Sequence, residues 1–190
     1  MPVKQLDERT ALVTIDLQKM LRGLPLVCPL GEVVAKANRL AAAVRACELP
    51  VVRVRLSYTP DFGEAPNPRA DSALDESHLP DAWDEYLDEL DIQPGDLLVT
   101  KRSWSGFYGT DLDLQLRHRG ITGIVICGVA TAVGVESTAR AAFERGYNLT
   151  IASDAVTDIS AETHENSLTR IFPLLAEVDT TEAIIAKLTA

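Results

Sequence analysis

Cysteine, histidine, methionine and aromatic residues are all scarce in this chain of 190 residues. The three cysteines, Cys28, Cys47 and Cys127, are odd in number and form no Cys-x-x-Cys pair, which excludes a disulfide framework and a zinc ribbon. Cys47 falls in a helical pattern and Cys127 in an apolar strand, where cysteine behaves as a small hydrophobe. His78, His118 and His164 are far apart and lack the spacing of metal ligands, so no metal and no cofactor is expected. His118 is explained as a charge at the end of a helix. No apolar run reaches the roughly 18–20 residues that span a bilayer. The longest, around Gly123 to Val135, is broken by glycines and Thr131. The N-terminal MPVKQLDERT has no apolar signal core, so a cytoplasmic protein is expected.

Positive charge is in deficit too. Eighteen basic residues against 28 acidic ones leave a net charge of −10. Such a surface repels phosphate backbones and anionic lipid, so neither nucleic acid nor a membrane is expected as partner. The acid is concentrated between Asp71 and Asp96, which hold no Lys or Arg and read as a solvated helix face. Also missing are a G-x-S-x-G elbow, a P-loop and a G-x-G-x-x-G turn.

What remains is an ordinary globular composition, 46% apolar and 24% charged, at the size of one domain spanning 1–190. Short runs rich in Val, Ile and Leu read as strands: Ala11–Ile15, Val51–Leu56, Leu97–Thr100, Ile121–Cys127 and Leu149–Ala152, with a weaker one at Ala176–Val178. Amphipathic stretches alternate with them. Val33, Ala37, Leu40, Ala41 and Val44 follow helical spacing. Pro80 suits the first turn of a helix presenting Trp83, Tyr86, Leu87 and Leu90. Thr110 caps a stretch that ends in Arg117, His118, Arg119 and Gly120. Gly134–Arg145 stops at Gly146, and Ser160 caps a helix running towards Pro173. Alternating strands and helices predict a parallel, doubly wound sheet covered on both faces. The irregular stretch from Ser57 to Asp81 reads as a lid or an oligomer contact.

Ligands in such sheets sit at the carboxyl ends of the strands. Asp16 follows the first strand, where a partly dry cleft would raise its pKa and suit it to proton transfer; the alternative is that it caps the next turn. Lys101 follows the third strand, either beside a buried carboxylate or solvated. Its loop also carries Trp104, Phe107 and Tyr108, which suit a pocket wall or a plug beneath the loop. After the fourth strand, Gly128–Gly134 is a glycine-bounded turn into a helix, whose N–H groups could receive an oxyanion. Substrate contacts are therefore expected at Gln18, Trp104, Phe107, Tyr108, Val129, Ala130 and Thr131.

ALVTIDLQ, KRSWSGFYGTDLDLQLRHRGI, IVICGVATAVGVESTARAAFERGYN and SDAVTD, in this order, resemble the isochorismatase-like hydrolase family, also called the cysteine hydrolases. The resemblance implies a three-layer α/β/α fold with a six-stranded, mainly parallel sheet, usually in dimers or larger assemblies, and a small-molecule substrate. It gives catalytic roles to Asp16 and Lys101 and places a cis peptide at Val129–Ala130. Where the amidase branch has its cysteine, this chain has Gly134, and Cys127 lies seven residues earlier within the strand. The histidine-rich metal site of nicotinamidases has no counterpart in LSYTPDFGEAPN. Branches that cleave the vinyl ether of isochorismate also lack the cysteine: an acid protonates the enol-ether carbon and water attacks the resulting oxocarbenium ion. The resemblance thus implies a metal-free hydrolase with Asp16 as acid/base and Lys101 as its partner. The alternative is a silent relative that binds a small anionic metabolite or a partner protein.

Overall fold

The computed structural model describes residues 3–71 and 79–188. Thr10–Ile15 (β1) and Gly123–Val129 (β4) are buried along their whole length, as expected of strands covered on both faces. Val51–Leu56 (β2), Leu97–Lys101 (β3), Asn148–Thr157 (β5) and Glu177–Asp179 (β6) complete the sheet. All neighbours are parallel, in the order β3-β2-β1-β4-β5-β6. The winding reverses between β1 and β4, which opens a crevice outside their carboxyl ends.

Leu30–Ala46 (α1) buries Val33, Ala37, Leu40, Ala41 and Val44 with Leu12, Val125 and Cys127 on one face of the sheet. Thr181–Leu188 (α5) adds Ile184 to that core. Leu112–His118 (α2) and Glu136–Glu144 (α3) cover the other face, where Leu116 and Ala139 join Val13, Ile15, Val54 and Ile126. Ala161–Asn166 (α4) follows β5, and Ser160 caps it by accepting from the Thr163 N–H at 3.3 Å. The alternation of apolar runs and amphipathic stretches is thus realised as a three-layer α/β/α sandwich.

Three local expectations change. No helix follows Pro80. Its backbone groups pair with the chain after β1 instead: Lys19 N–H donates to Glu85 O, Met20 N–H to Trp83 O, and Leu87 N–H to Leu17 O. Those bonds compete with the helical ladder and win. The acidic run is likewise not merely solvated, because Arg22 binds Asp88 and Glu89, and Arg45 and Arg53 hold Asp96. Finally, β5 continues through Thr157, past a register shift opposite Ile126 and Gly128. His78, Asp75 and Glu76 lie outside the described residues, as does part of the Ser57–Asp81 stretch.

One glycine sets the floor of the crevice. Gly128 pairs with Ile15 at φ +126°, and a Cβ there would stand 2.1 Å from the Ile15 carbonyl oxygen. Only glycine lets β4 pass so near the residue that precedes Asp16.

Candidate active site

Asp16 leaves β1 with a left-handed backbone, φ +51°, a conformation that aspartate tolerates better than most residues. Lys101 ends β3, two strands away, so the gap between them is about two strand spacings of roughly 4.8 Å. Its long side chain reaches past the end of β2 and places Nζ 2.8 Å from Asp16 Oδ2. Both residues are buried, at 6% and 2% exposure. Lys101 also donates to the Ser103 carbonyl at 2.9 Å. It is therefore not a solvated surface lysine. Nor does Asp16 cap a turn: its Oδ1 is buried without a hydrogen-bond partner. Burial pushes the Asp16 carboxyl up from 3.8 to about 6, against the opposing pull of the Lys101 charge.

Gly134 lies directly against this carboxylate. A Cβ on it would stand 3.1 Å from Asp16 Oδ2, 3.0 Å from Ile15 Cγ2 and 3.2 Å from the Val129 carbonyl oxygen. The position matched to the family's cysteine is thus beside the ion pair, with no side chain to attack. Cys127 is no substitute. It packs in the α1 core, and burial pushes its thiol up to about 12, so it is not a thiolate at neutral pH.

Beyond β4 the Val129–Ala130 peptide is cis, and Thr131–Val135 forms a π-helical turn into α3. Val129 and Thr131 are buried, and Ala130 is half-buried. The N–H groups of this turn are not all free for an anion, contrary to expectation. Those of Val133 and Val135 fold back onto the Ala130 carbonyl, and that of Ala132 donates to Asp158 Oδ2 at 2.8 Å. Thr131 Oγ1 lies 2.8 Å from His164 Nδ1.

The other residues expected at the substrate have varied surroundings. Gln18 is fully buried, and its amide clamps backbone: Nε2 donates to Leu56 O and Asp84 O, and Oε1 accepts from Leu56 N–H. That amide supports the loop after β2 and has no N–H left for a ligand. Phe107 plugs the core against Tyr147, with ring centroids 5.9 Å apart. Trp104 and Tyr108 stand 62% and 73% exposed, because the loop turns them outward, so these three aromatics form no common wall. The aromatic cluster at this edge of the sheet is Tyr58, Phe62 and Trp83, with centroids 5.7–5.9 Å apart. Residues missed from the sequence are Asp158 and the site role of His164. Asp158 follows β5 as Asp16 follows β1, so the strand-end rule applied to SDAVTD would have found it.

Cavities of about 550 and 290 Å³ lie elsewhere, the first at the opposite edge of the strands beside Thr10, Gly123 and Tyr147, the second beside α1. Neither touches Asp16 or Lys101. Among the described residues no group of His, Cys, Asp and Glu is arranged to hold a metal ion, and no helix is long and apolar enough to cross a membrane.

A carboxylate and an ammonium thus meet in a buried pair beside the switch point of a parallel sheet, where α/β folds place their ligands. Comparison with known proteins names the family. An isochorismatase domain matches residues 10–183. The isochorismatase family protein YecD of Escherichia coli O157:H7, whose activity is uncharacterised, is 45% identical over 179 residues, covering 93% of this chain and 94% of YecD. The ureidoacrylate amidohydrolase RutB of Pseudomonas syringae pv. syringae is 35% identical, covering 81% of this chain and 73% of RutB. Among solved structures, an isochorismatase family protein from Burkholderia thailandensis superposes with a TM-score of 0.94 at 45% identity, covering 100% of this chain and 99% of the other. A cysteine hydrolase from Pseudomonas syringae pv. phaseolicola reaches 0.81 at 29% identity, covering 100% and 99%. The chain belongs to the isochorismatase family and is a hydrolase of that family.

Proposed function

We propose that this hydrolase acts on a small metabolite without a covalent thioester, using Asp16 as its proton-transfer group and Lys101 as the partner that orients it. The observation that carries this reading is the buried Oδ1 of Asp16, which no close hydrogen bond fills, the neighbouring Leu56 N–H being given to Gln18 Oε1. The second oxygen of the same carboxylate is held by Lys101 at 2.8 Å, so Oδ1 is the atom from which a proton can be delivered. A carboxyl that titrates near 6 is populated in both forms close to neutral pH, which suits proton transfer. Gly134 removes the nucleophile on which amide cleavage through a thioester depends.

The chemistry that fits these groups is vinyl-ether hydrolysis. Protonated Asp16 gives its proton to the terminal carbon of an enol ether, and the oxygen lone pair forms an oxocarbenium ion. Water adds to that cation and loses a proton, restoring the acid. The hemiketal then collapses to a ketone and an alcohol. Lys101 holds the conjugate carboxylate in place between turnovers.

The reading includes assembly into a homo-oligomer, supported by the exposed Trp104 and Tyr108 on the loop that follows Lys101. The direct test is an assay of small enol ethers, with isochorismate among them, followed as pyruvate release. Asp16→Asn is expected to slow turnover by about 10²–10⁴-fold. Turnover of wild type should decline above about pH 6 as the acid ionises. Equal rates for wild type and Asp16→Asn would remove Asp16 from the chemistry. Tight ligand binding with no turnover by any substrate would favour a silent relative instead.

A further inference from the structure

The turn beside Asp16 is tied to the far side of the crevice by two parallel contacts. Thr131 Oγ1 meets His164 Nδ1 at 2.8 Å, with both residues buried, at 0% and 7% exposure. One residue on, the Ala132 N–H donates to Asp158 Oδ2 at 2.8 Å, while Asp158 Oδ1 accepts from the Ile159 N–H. The strut carrying His164 is itself anchored, since Ser167 Oγ donates to Glu136 Oε2 at 2.6 Å near the start of α3. Residues 131–135 therefore hang between β4 and α4, and Gly134 is the part of them that touches the carboxylate.

We infer that His164 is a positioning residue, which through Thr131 fixes the turn that keeps Gly134 packed on Asp16 and water away from its carboxyl. The inference rests on the proposed function for its catalytic meaning, because a dry Asp16 is what that chemistry uses. The contact does more than fill space. The turn is held from three sides: Ala132 N–H on Asp158, Gly134 O accepting from Thr138 Oγ1 at 2.7 Å, and the Thr131 hydroxyl, which is its one side-chain contact with His164. Burial also disfavours the imidazolium, while Asp158 and Glu165 pull the other way, so the ring meets Thr131 chiefly as a neutral hydrogen-bonding group. If Thr131 lost this partner, the Asp158 and Thr138 bonds would still tether the turn, but its first residue would loosen and the packing over Asp16 with it. Water would then reach the carboxyl, and its titration would move back towards that of an ordinary aspartate.

The Asp16 carboxyl is therefore the reporter. Its titration midpoint is read by carbon-13 NMR on aspartate-labelled full-length protein, with Asp16→Asn identifying the resonance. In His164→Ala the midpoint is expected to fall by about 1 from the wild-type value. In His164→Asn, which keeps a polar atom near the Nδ1 position, it should stay at the wild-type value. Thr131→Val removes the hydroxyl without opening a cavity and should reproduce the fall, so it decides the matter even where His164→Ala does not fold. A midpoint that rises, or that moves by less than about 0.3 in folded Thr131→Val or His164→Ala, overturns the inference. A role confined to stability would lower the unfolding temperature and leave the midpoint where it was. No substrate enters this measurement, so it stands apart from the assay of Asp16→Asn. A shifted midpoint beside full activity of Asp16→Asn would keep the positioning role and discard the proposed acid.

Discussion

Two buried ion pairs, one at the carboxyl end of β3 and one at its amino end, have opposite character. Asp16 and Lys101 meet at 2.8 Å with side chains 8% and 2% exposed; Asp96 and Arg53 meet at 3.0 Å with side chains 2% and 0% exposed. Burial and distance are nearly equal. The difference lies in the lone pairs. Asp96 accepts at both oxygens, from Arg45 Nε at 3.0 Å on Oδ1 and from Arg45 Nη2 and Arg53 Nε on Oδ2. The unmet group in that cluster is a cationic Arg53 nitrogen, not a carboxylate oxygen. Asp16 has one oxygen bonded to Lys101, while the other is buried with no close partner. A buried carboxylate whose lone pairs are filled is a strut; one with a lone pair left open is what the proposed proton transfer would use.

The strongest way to break that contrast is to exchange the two carboxylates for amides. Asp16→Asn should abolish most turnover while leaving the fold, since the amide still offers Lys101 an acceptor. Asp96→Asn should leave turnover per folded molecule near wild type. If Asp96→Asn proved as damaging to the chemistry as Asp16→Asn, the distinction would fail. Stability should show the reverse. Removing the Asp96 side chain strands the buried Arg53, while Arg45 keeps Asp91, and Asp96→Ala is expected to cost about 3–5 kcal/mol in urea unfolding at neutral pH.

The two pairs should also separate by pH. In the unfolded chain Asp16 ionises near its ordinary 3.8, whereas in the folded protein it ionises near 6. Between those values the folded state holds the extra proton, so each rise in pH favours unfolding. From about pH 4 to pH 7, wild type should lose about 2 kcal/mol of stability relative to Asp16→Asn. Urea titrations of the two proteins at several pH values check this, and parallel curves would mean that Asp16 is not desolvated as described.

Much of this was legible in the chain itself. Runs of Val, Ile and Leu locate the strands because both faces of a parallel strand are buried, and the rule that ligands sit at strand carboxyl ends leads to Asp16 and Lys101. What escaped was whatever depended on pairings distant in sequence. The stretch after Pro80 has a helical pattern, yet its backbone groups bond to Lys19, Met20 and Leu17. Gln18 looks like a ligand contact beside Asp16, but its amide is occupied by Leu56 and Asp84. Phe107 and its neighbours Trp104 and Tyr108 are one cluster in sequence, and the loop sends them to opposite environments. The role of His164 was invisible because Thr131 lies 33 residues away.

A third ion pair gives the finest test, and the smallest effect. Lys19 Nζ lies 2.7 Å from Glu85 Oε2 and 3.0 Å from Asp88 Oδ1, distances that match the pair at Asp16, but those carboxylates are 57% and 66% exposed. Contact geometry is thus held nearly constant while solvent access changes. Water and salt screen exposed charges, and at about 1 M salt the screening length falls to about 3 Å. Lys19→Ala should therefore cause a slight loss of thermal stability at low ionic strength that vanishes in high salt. The Asp16 midpoint, set by burial, should move little across the same salt range. A large effect of Lys19→Ala that persists in salt would show that short contact distance, rather than exclusion of solvent, governs these pairs. The contrast between Asp16 and Asp96 would then need another cause.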